Sequence, residues 1–224
     1  MSELKPLRLQ AIETAQSRHG VIGASRRALV YYIPPLTRLV IFGAGDDAKP
    51  LCTLARSLGW HVTVADRRAR LATRDRFPDA DAVVAADWRR AIEETTFTPR
   101  TAVVMMTHSI ADDVELLPHL DGKSIGYLGS LGPAHRRQWV LDGANVADGA
   151  LARTLRGPIG LNLGDRSPAG IAVSVVAEIL AELNQRDAAS LSRGPGFSSP
   201  HPVGQAFPPA IGRGTPRPIL PSKD

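Results

Sequence analysis

The stretch from Arg38 to Arg68 constrains the fold of this chain more than any other segment. It consists of a short apolar run, a glycine-containing loop, a segment with leucines at helical spacing and a second apolar run. Short apolar runs of this kind are typical of buried parallel strands. The stretch therefore predicts a strand, a helix and a second strand, which together form the first unit of an α/β sheet.

The same alternation continues along the chain. Further apolar runs predict strands, and the segments between them have the periodicity of helices. The predicted strands are 38–42, 60–66, 81–86, 101–108 and 123–130, and the predicted helices are 47–58, 88–95, 112–120, 134–141 and 168–184. Ser167 and Pro168 suit the N-cap and first turn of the last helix. The pattern predicts an α/β fold with a Rossmann-like, doubly wound, mostly parallel sheet and flanking helices.

Three regions are expected along the chain. Residues 37–185 are predicted to form the Rossmann-like domain, and residues 1–36 a short N-terminal extension. Within that extension, residues 4–20 are consistent with a helix and residues 28–33 with a strand that ends at the prolines which follow. Residues 186–224 are rich in Pro, Gly and Ser, and we expect this tail to be disordered because it cannot bury enough apolar surface to order itself.

Composition favours a soluble cytoplasmic protein. Hydrophobic residues make up 43% of the chain and charged residues 22%, and no apolar run is long enough for a signal core or a membrane span. The single cysteine, Cys52, excludes a disulfide within the chain and is expected to fill the core. The net charge of +5 could suggest nucleic acid, but much of the excess lies in the tail and no basic stripe with aromatic residues is present. We therefore predict neither a nucleic-acid nor a membrane partner.

The loop after the first strand has the form GxGxxA, given by Gly43, Gly45 and Ala48. The first glycine permits a tight turn, the second lets a ligand approach the backbone, and the alanine allows close packing of helix on strand. Free amides at the helix start attract anions. The loop therefore predicts an anion site, with the alternative that Asp46 or Asp47 merely caps the helix and nothing binds.

Acidic residues distinguish this loop from an ordinary dinucleotide site. Asp46 and Asp47 would meet a pyrophosphate with negative charge. Asp66 ends the second strand, where an acid can accept a hydrogen bond from a ribose hydroxyl. Arg67 and Arg68 could offset the negative charge or bind a phosphate as a fork. The pattern favours a Rossmann cradle adapted to a different anion or to a modified nucleotide.

Polar residues from later strands should converge on the same end of the sheet, because ligands of open parallel sheets bind at the carboxyl ends of the strands. The fourth strand brings Thr107 and His108 there, and the fifth brings a second glycine turn. His108 is a candidate general acid–base, although a structural role is the simpler interpretation. Metal binding by His108 with Asp112 or Asp113 is conceivable by residue type, but we predict no metal site.

Five motifs in order make the chain resemble the XdhC/CoxI family of molybdoenzyme accessory proteins. They are FGAGDDAKPLCTLARSLGWHVTVADRR, RFP, TAVVMMTHSIADDVELL, YLGSLGPAHRR and GPIGLNLGDRSPAGIAVSVVAEILAEL, and the resemblance runs from about residue 33 to residue 183. It implies a Rossmann-like domain that binds the molybdenum cofactor (molybdopterin) and helps to mature xanthine dehydrogenase and related molybdenum hydroxylases. The implied partners are a molybdenum hydroxylase apoenzyme and a cysteine desulfurase, and a homodimer is a further expectation.

The family motifs fall on a defined set of positions in this chain. They are Gly43, Gly45, Asp66, Arg68, Arg76, Phe77, Pro78, Thr107, His108, Asp113, Gly129, Gly132, Arg136, Pro158, Gly160, Gly164 and Glu178. With the loop chemistry added, the residues predicted to bind the cofactor are Gly43, Gly45, Asp46, Asp47, Asp66, Arg67, Arg68, Thr107, His108, Asp113, Gly129, Ser130, Gly132 and Arg136.

The chain departs from the family pattern at several points. Ser109, Asn162 and Ala134 stand where the family often has charged residues. Longer members also carry an N-terminal domain with a Gly-Gly-Cys type segment, whereas residues 1–36 contain no cysteine. We therefore expect a partial member that retains the nucleotide-binding half and lacks the sulfur-handling segment.

Two functions remain open at this point. The first is a cofactor-binding chaperone without turnover of its own, which the five motifs favour. The second is an NAD(P)-dependent oxidoreductase or nucleotide sensor that would use Asp66 on a ribose and His108 in proton transfer.

Overall fold

The structure is a computed structural model that describes residues 18–22, 26–30, 33, 35–147 and 149–192. The chain divides into one compact unit over Met1–Ala188 and a second over Ala189–Asp224. Only residues 189–192 of the second unit are described, and they form neither helix nor strand. Most of the tail predicted to be disordered therefore lies outside the described residues.

The N-terminal part contains an antiparallel hairpin of β1 (Arg18–Ile22) and β2 (Arg26–Val30). The predicted strand over 28–33 is confirmed for its first three residues. The predicted helix over 4–20 is wrong at residues 18–20, which belong to β1, and its other residues lie outside the described ones. A glycine followed by Val21 and Ile22 favours a strand over a helix, because β-branched side chains suit a pleated backbone.

Six strands of the described residues form one parallel sheet. They are β3 (Arg38–Phe42), β4 (His61–Asp66), β5 (Ala82–Ala85), β6 (Thr101–Met105), β7 (Tyr127–Ser130) and β8 (Leu155–Arg156). Their order in the sheet is β5-β4-β3-β6-β7-β8, with β3 and β6 adjacent in the middle. The order reverses direction between β3 and β6, which makes this pair the topological switch point of a doubly wound sheet. The predicted fold class is confirmed.

Helices cover both faces of the sheet. They are α1 (Ala48–Ser57), α2 (Trp88–Glu93), α3 (Ile110–Leu116), α4 (Ala134–Gly143), α5 (Ala150–Thr154) and α6 (Pro168–Leu183), and a 3-10 turn at Leu117–Leu120 continues α3. The predicted starts at Trp88, Ala134 and Pro168 are confirmed. The observed α3 begins two residues before the predicted start at Asp112. The Ser109 hydroxyl accepts a hydrogen bond from the Asp112 amide and thereby caps the helix at Ser109.

Two hydrophobic clusters, one on each face, hold the layers together. On one face, α1 and α6 pack over the alternate residues Leu39 and Ile41 of β3. On the other face, α2, α3 and α4 pack over Val40 and Phe42, and Trp88 meets the Phe42 ring edge-on at 5.9 Å. Because α1 and α3 lie on opposite faces, their N-termini flank the crevice at the switch point. No helix of the described residues is long and apolar enough to cross a membrane.

Candidate functional site at the carboxyl end of the sheet

The glycine loop, residues 43–47, joins β3 to α1 and is held between the neighbouring strands. The Gly43 amide donates to the Ala65 carbonyl oxygen at 2.8 Å. Gly43 has a φ of +115°, and a Cβ atom there would lie 2.5 Å from the Met106 carbonyl oxygen. Only glycine allows this backbone conformation and this approach. The loop is thereby placed against the residues that follow β6.

Backbone donors face outward from this loop. The amides of Gly45, Asp46 and Asp47 donate to no group in the described part of the chain. They precede α1, a ten-residue helix whose dipole places partial positive charge at this end. The loop therefore presents three free N–H groups, as the sequence predicts, and anion binding by them stays a prediction.

His108 lies directly over the loop. A Cβ atom at Gly45 would be 3.1 Å from the His108 Nε2 atom, so the absence of a side chain at Gly45 makes room for the imidazole. His108 itself is exposed. The predicted convergence of the first and fourth strand ends is thus present, and a proton-transfer role for His108 stays a prediction.

Asp66 is already saturated by the protein's own donors. Its carboxylate accepts hydrogen bonds from the Ala44 amide at 2.7 Å and from the Arg68 amide, Nε and Nη2 atoms at 2.7–2.9 Å. A carboxylate offers about four lone-pair directions, and four donors occupy them. Burial raises the pKa of this carboxyl, but the Arg68 and Ala44 hydrogen bonds outweigh it and hold the pKa below its ordinary value. Asp66 anchors the loop and leaves no acceptor position for a ribose hydroxyl.

Arg67 and Arg68, the basic residues after β4, do not offset the charge of the loop, although the sequence suggested that both could. Arg68 pairs with Asp66, and Arg67 lies 3.0 Å from Asp112 and 2.6 Å from Glu115 on α3. Neither contacts Asp46 or Asp47 among the described residues.

Asp46 instead pairs with two cations that were not among the predicted binding residues. One of its oxygens lies 2.8 Å from Lys49 Nζ and 3.0 Å from Arg76 Nη2. Arg76 also donates to the Ala44 carbonyl oxygen at 3.3 Å, and its Nε atom is enclosed without a partner. The RFP motif was the only sequence signal for Arg76, since nothing in the spacing brings residues thirty positions apart together.

Asp47 stands at the N-cap position of α1, but its side chain makes no capping hydrogen bond. No ion pair involves it among the described residues. The expectation that the side chain of Asp46 or Asp47 caps the helix is therefore wrong, while ligand binding at the loop stays a prediction. Asp47 adds negative charge to the loop without a partner that neutralises it.

A buried polar network lies beside the site, on the α3 and α4 side. The Asp113 carboxylate, fully buried, is 2.5 Å from the Thr107 hydroxyl and 2.7 Å from Arg136 Nη2. Arg136 also donates to the Thr107 carbonyl oxygen at 2.9 Å. Burial raises the pKa of Asp113, while the hydrogen bonds from Thr107 and Arg136 oppose that rise. Three residues predicted to bind cofactor are thus joined to one another and fix the loop after β6.

The second glycine turn is tightly packed. A Cβ atom at Gly129 would collide with Ile159, and one at Gly132, where φ is +137°, would lie 2.5 Å from the Arg136 Cδ atom. The Ser130 hydroxyl is buried and has no hydrogen-bond partner among the described residues. Gly129 and Gly132 therefore have packing reasons to be glycine, and Ser130 supplies an unsatisfied polar atom at the carboxyl end of β7.

The segment between β8 and α6 is held by Glu178. Its Oε2 atom accepts hydrogen bonds from the Tyr127 hydroxyl at 2.5 Å and from the Gly160 amide at 2.7 Å. Burial raises the pKa of the Tyr127 hydroxyl, and the adjacent Glu178 carboxylate raises it further. The family resemblance singled out both Gly160 and Glu178, and the hydrogen bond between them holds this segment in place.

No group of three or more His, Cys, Asp or Glu side chains in the described residues is placed to hold a metal ion. Asp112 and Asp113 are directed to Arg67 and Arg136, so the structure does not gather them around His108. Cys52 is buried in α1, as predicted, and burial raises the pKa of its thiol to about 11.

A cleft of about 610 Å³ lies at the opposite end of the sheet. Its lining includes Lys123, Tyr127, Arg153 and Glu182, and no residue of the glycine loop. Free backbone donors and the switch point coincide at the glycine loop and not here, so we place the candidate site at the loop.

Comparison with known proteins supports the assignment of the domain. A model of the XdhC Rossmann domain matches residues 39–179. A probable xanthine dehydrogenase component from Bacillus subtilis is 37% identical over 148 residues, which are 66% of this chain and 43% of that protein. The uncharacterized protein YqeB of Escherichia coli is 32% identical over 151 residues, which are 66% of this chain and 27% of that protein.

A solved structure also resembles the chain in both fold and sequence. The crystal structure of a xanthine dehydrogenase from Bacillus halodurans superposes with a TM-score of 0.60 and 32% identity, over 71% of this chain and 47% of that one. The chain thus spans less than half of the length of each of these proteins. The matched region contains the glycine loop, the network around Asp113 and most of α6, and the chain belongs to the XdhC family through its Rossmann domain.

Proposed function

We propose that this chain is an accessory protein that binds the molybdenum cofactor, or a related nucleotide, and assists maturation of a molybdenum hydroxylase of the xanthine dehydrogenase or CO dehydrogenase type. The observation that carries the proposal is the set of three free amides at the start of α1, at the switch point of an XdhC-family domain. Such a set binds the phosphate of a ligand.

The donors at the loop fit the phosphate end of a pterin cofactor. The amides of residues 45–47 would hold the phosphate, and Lys49 and Arg76 would supply positive charge beside it. His108 would cover the ligand from the β6 side. When bound in its client enzyme, the cofactor supplies the molybdenum centre at which substrate is oxidised. This chain's part would be to bind and orient the phosphate, because its described residues offer N–H donors and no cluster of metal ligands.

The proposed client follows from the relatives. Two of the proteins similar to this chain carry xanthine dehydrogenase in their names, so we propose a molybdenum hydroxylase apoenzyme as the partner. A cysteine desulfurase is a second proposed partner, and we place the protein in the cytoplasm. For a homodimer, the exposed apolar side chains of Leu163 and Val173 offer contact surface near the start of α6.

The direct test is reconstitution. Purified protein is titrated with molybdenum cofactor and then added to a molybdenum hydroxylase apoenzyme, and we expect both binding and enhanced activation. Gly45→Val should weaken cofactor binding by about tenfold or more, since its side chain would push His108 away and crowd the free amides of the loop. Gly149→Val, in extended backbone at the start of α5, is the matched control and should bind as the wild type does. Wild-type protein that neither binds cofactor nor improves activation would refute the proposal.

A second candidate is an NAD(P)-dependent oxidoreductase or nucleotide sensor. The strand order and the GxGxxA loop favour it, because this combination is typical of dinucleotide binding. The saturation of Asp66 weighs against it.

Calorimetry with NAD and NADP separates the two functions. Asp66→Asn removes the charge and keeps one oxygen, which can still accept from the Ala44 amide. We expect either no heat of NAD binding or a dissociation constant that this change alters by less than about threefold. Tight NAD binding that Asp66→Asn abolishes, in a variant with an unchanged melting temperature, would favour the oxidoreductase.

A further inference from the structure

Asp46 is paired with Lys49 and Arg76, the two cations that an anion bound at the glycine loop would need. A single carboxylate oxygen of Asp46 lies 2.8 Å from Lys49 Nζ and 3.0 Å from Arg76 Nη2. These are the distances of charge-assisted hydrogen bonds, and a phosphate oxygen in the same place would make the same contacts. Lys49 and Arg76 lower the pKa of Asp46 through these hydrogen bonds, so the group is ionised at neutral pH.

From this geometry we propose that Asp46 is a built-in competitor that restricts the site to multiply charged phosphates. The inference rests on the proposed function, in which the free amides of residues 45–47 take the phosphate of a ligand. Lys49 and Arg76 contribute two positive charges around the loop, and Asp46 and Asp47 two negative ones, so the local balance is zero. A neutral or weakly charged ligand gains no binding free energy by displacing Asp46, whereas a diphosphate would form ion pairs with both Lys49 and Arg76.

The arrangement allows displacement without unfolding. The Asp46 side chain is 79% exposed, so it can rotate into water. Exposed ion pairs of this kind contribute little to stability. Arg76 stays in place when Asp46 leaves, because it also donates to the Ala44 carbonyl oxygen and the adjacent Phe77 is buried in the core.

Arg76 also has capacity for a further acceptor. Its Nη1 atom makes no hydrogen bond among the described residues. A guanidinium has five N–H donors in a fixed plane, and pairing with Asp46 and Ala44 uses only the Nη2 side. An anion with several oxygens can engage more of that plane than one carboxylate oxygen does.

Asp47 gives a matched control for this proposal. It is the same residue type one position along the loop, and it makes neither a capping hydrogen bond nor an ion pair in the described structure. Asp46→Asn and Asp47→Asn therefore remove the same charge from nearly the same place, but only the first frees Lys49 and Arg76.

The test is calorimetric titration of the full chain with inorganic pyrophosphate. Asp46→Asn should bind pyrophosphate about tenfold more tightly than the wild type. Asp47→Asn removes a negative charge without freeing a cation, so it should tighten binding by no more than about threefold. Adding Arg76→Gln to Asp46→Asn should remove the gain. Thermal unfolding of each variant checks that the fold is kept.

The outcomes separate this inference from the function on which it rests. Wild-type binding that Asp46→Asn leaves unchanged, or that both Asn variants tighten equally, overturns the competitor role while the anion site stands. Absence of pyrophosphate binding in the wild type and in every variant refutes the anion site itself, and the competitor role with it. Binding by Asp46→Asn alone supports the proposal in its strongest form.

Discussion

Replacing Gly43 by alanine is expected to lower the free energy of unfolding by about 3 kcal/mol or more. The new Cβ atom would lie 2.5 Å from the Met106 carbonyl oxygen and 2.8 Å from the Thr107 amide nitrogen. Both are backbone atoms next to a central strand and cannot move aside cheaply. The φ of +115° adds strain for any residue with a side chain. Denaturation in urea with linear extrapolation measures the loss.

Gly59 is the matched control for this substitution. It follows α1 with a φ of +76°, but a Cβ atom there meets nothing within 4 Å. Gly59→Ala should therefore cost only the backbone strain of a left-handed residue, about 1 kcal/mol. Equal losses in the two variants would show that the close approach at Gly43 has no energetic weight.

Replacing Arg136 by methionine should destabilise the protein by about 3–5 kcal/mol at neutral pH, because it leaves the carboxylate of Asp113 buried without its counter-charge. Asp113 is fully buried, and Arg136 contributes two of its hydrogen bonds, at 2.7 and 3.0 Å. Methionine has similar length and no charge, so the change removes the pairing more than the packing. Urea denaturation again provides the measurement.

The pH dependence gives this prediction a second readout. Burial raises the pKa of Asp113, and the contact with Arg136 opposes the rise, so the folded-state pKa should increase further in Arg136→Met. Between the unfolded and the folded pKa of Asp113, the folded variant binds more protons than the unfolded chain, so its stability falls as the pH rises through that range. Its deficit relative to wild type should be smaller at about pH 4 than at about pH 7, since a protonated carboxyl needs no counter-charge.

Arg90→Met is the control for general loss of an arginine. Arg90 pairs with Glu94 at 2.8 Å on the surface of α2, and its side chain is 69% exposed. Such an exposed pair contributes little to stability. A comparable loss for Arg90→Met and Arg136→Met, or the same Arg136→Met deficit at both pH values, would contradict a buried pair as the cause.

The sequence predicted the elements that carry strong local signals. Buried parallel strands such as β3 and β6 are continuous apolar runs, and Ser167 with Pro168 marks the start of α6 unambiguously. The elements α5 and β8 were missed because five and two residues are too short to show a period. The predicted strand over 123–130 was too long, since pairing begins only at Tyr127.

The site was predictable in its backbone and less so in its side-chain pairings. GxGxxA in the context of a strand and a helix is enough to place free amides at a helix start. Partner choice depends on tertiary distance, and the sequence did not indicate that Arg68 would saturate Asp66 or that Arg76 would reach Asp46. These pairings change the interpretation of Asp66 from a ligand-binding residue to an anchor of the loop.

The brevity of β8 has a consequence for assembly. A strand at the border of a sheet normally exposes a row of unpaired backbone groups, which can template the addition of a strand from another molecule. β8 contributes two residues, so it offers almost no such template, and β5 at the other border contributes four. Recognition of the proposed client, or of a second copy, along this sheet should therefore depend on side-chain surfaces, because the short border strands disfavour strand addition.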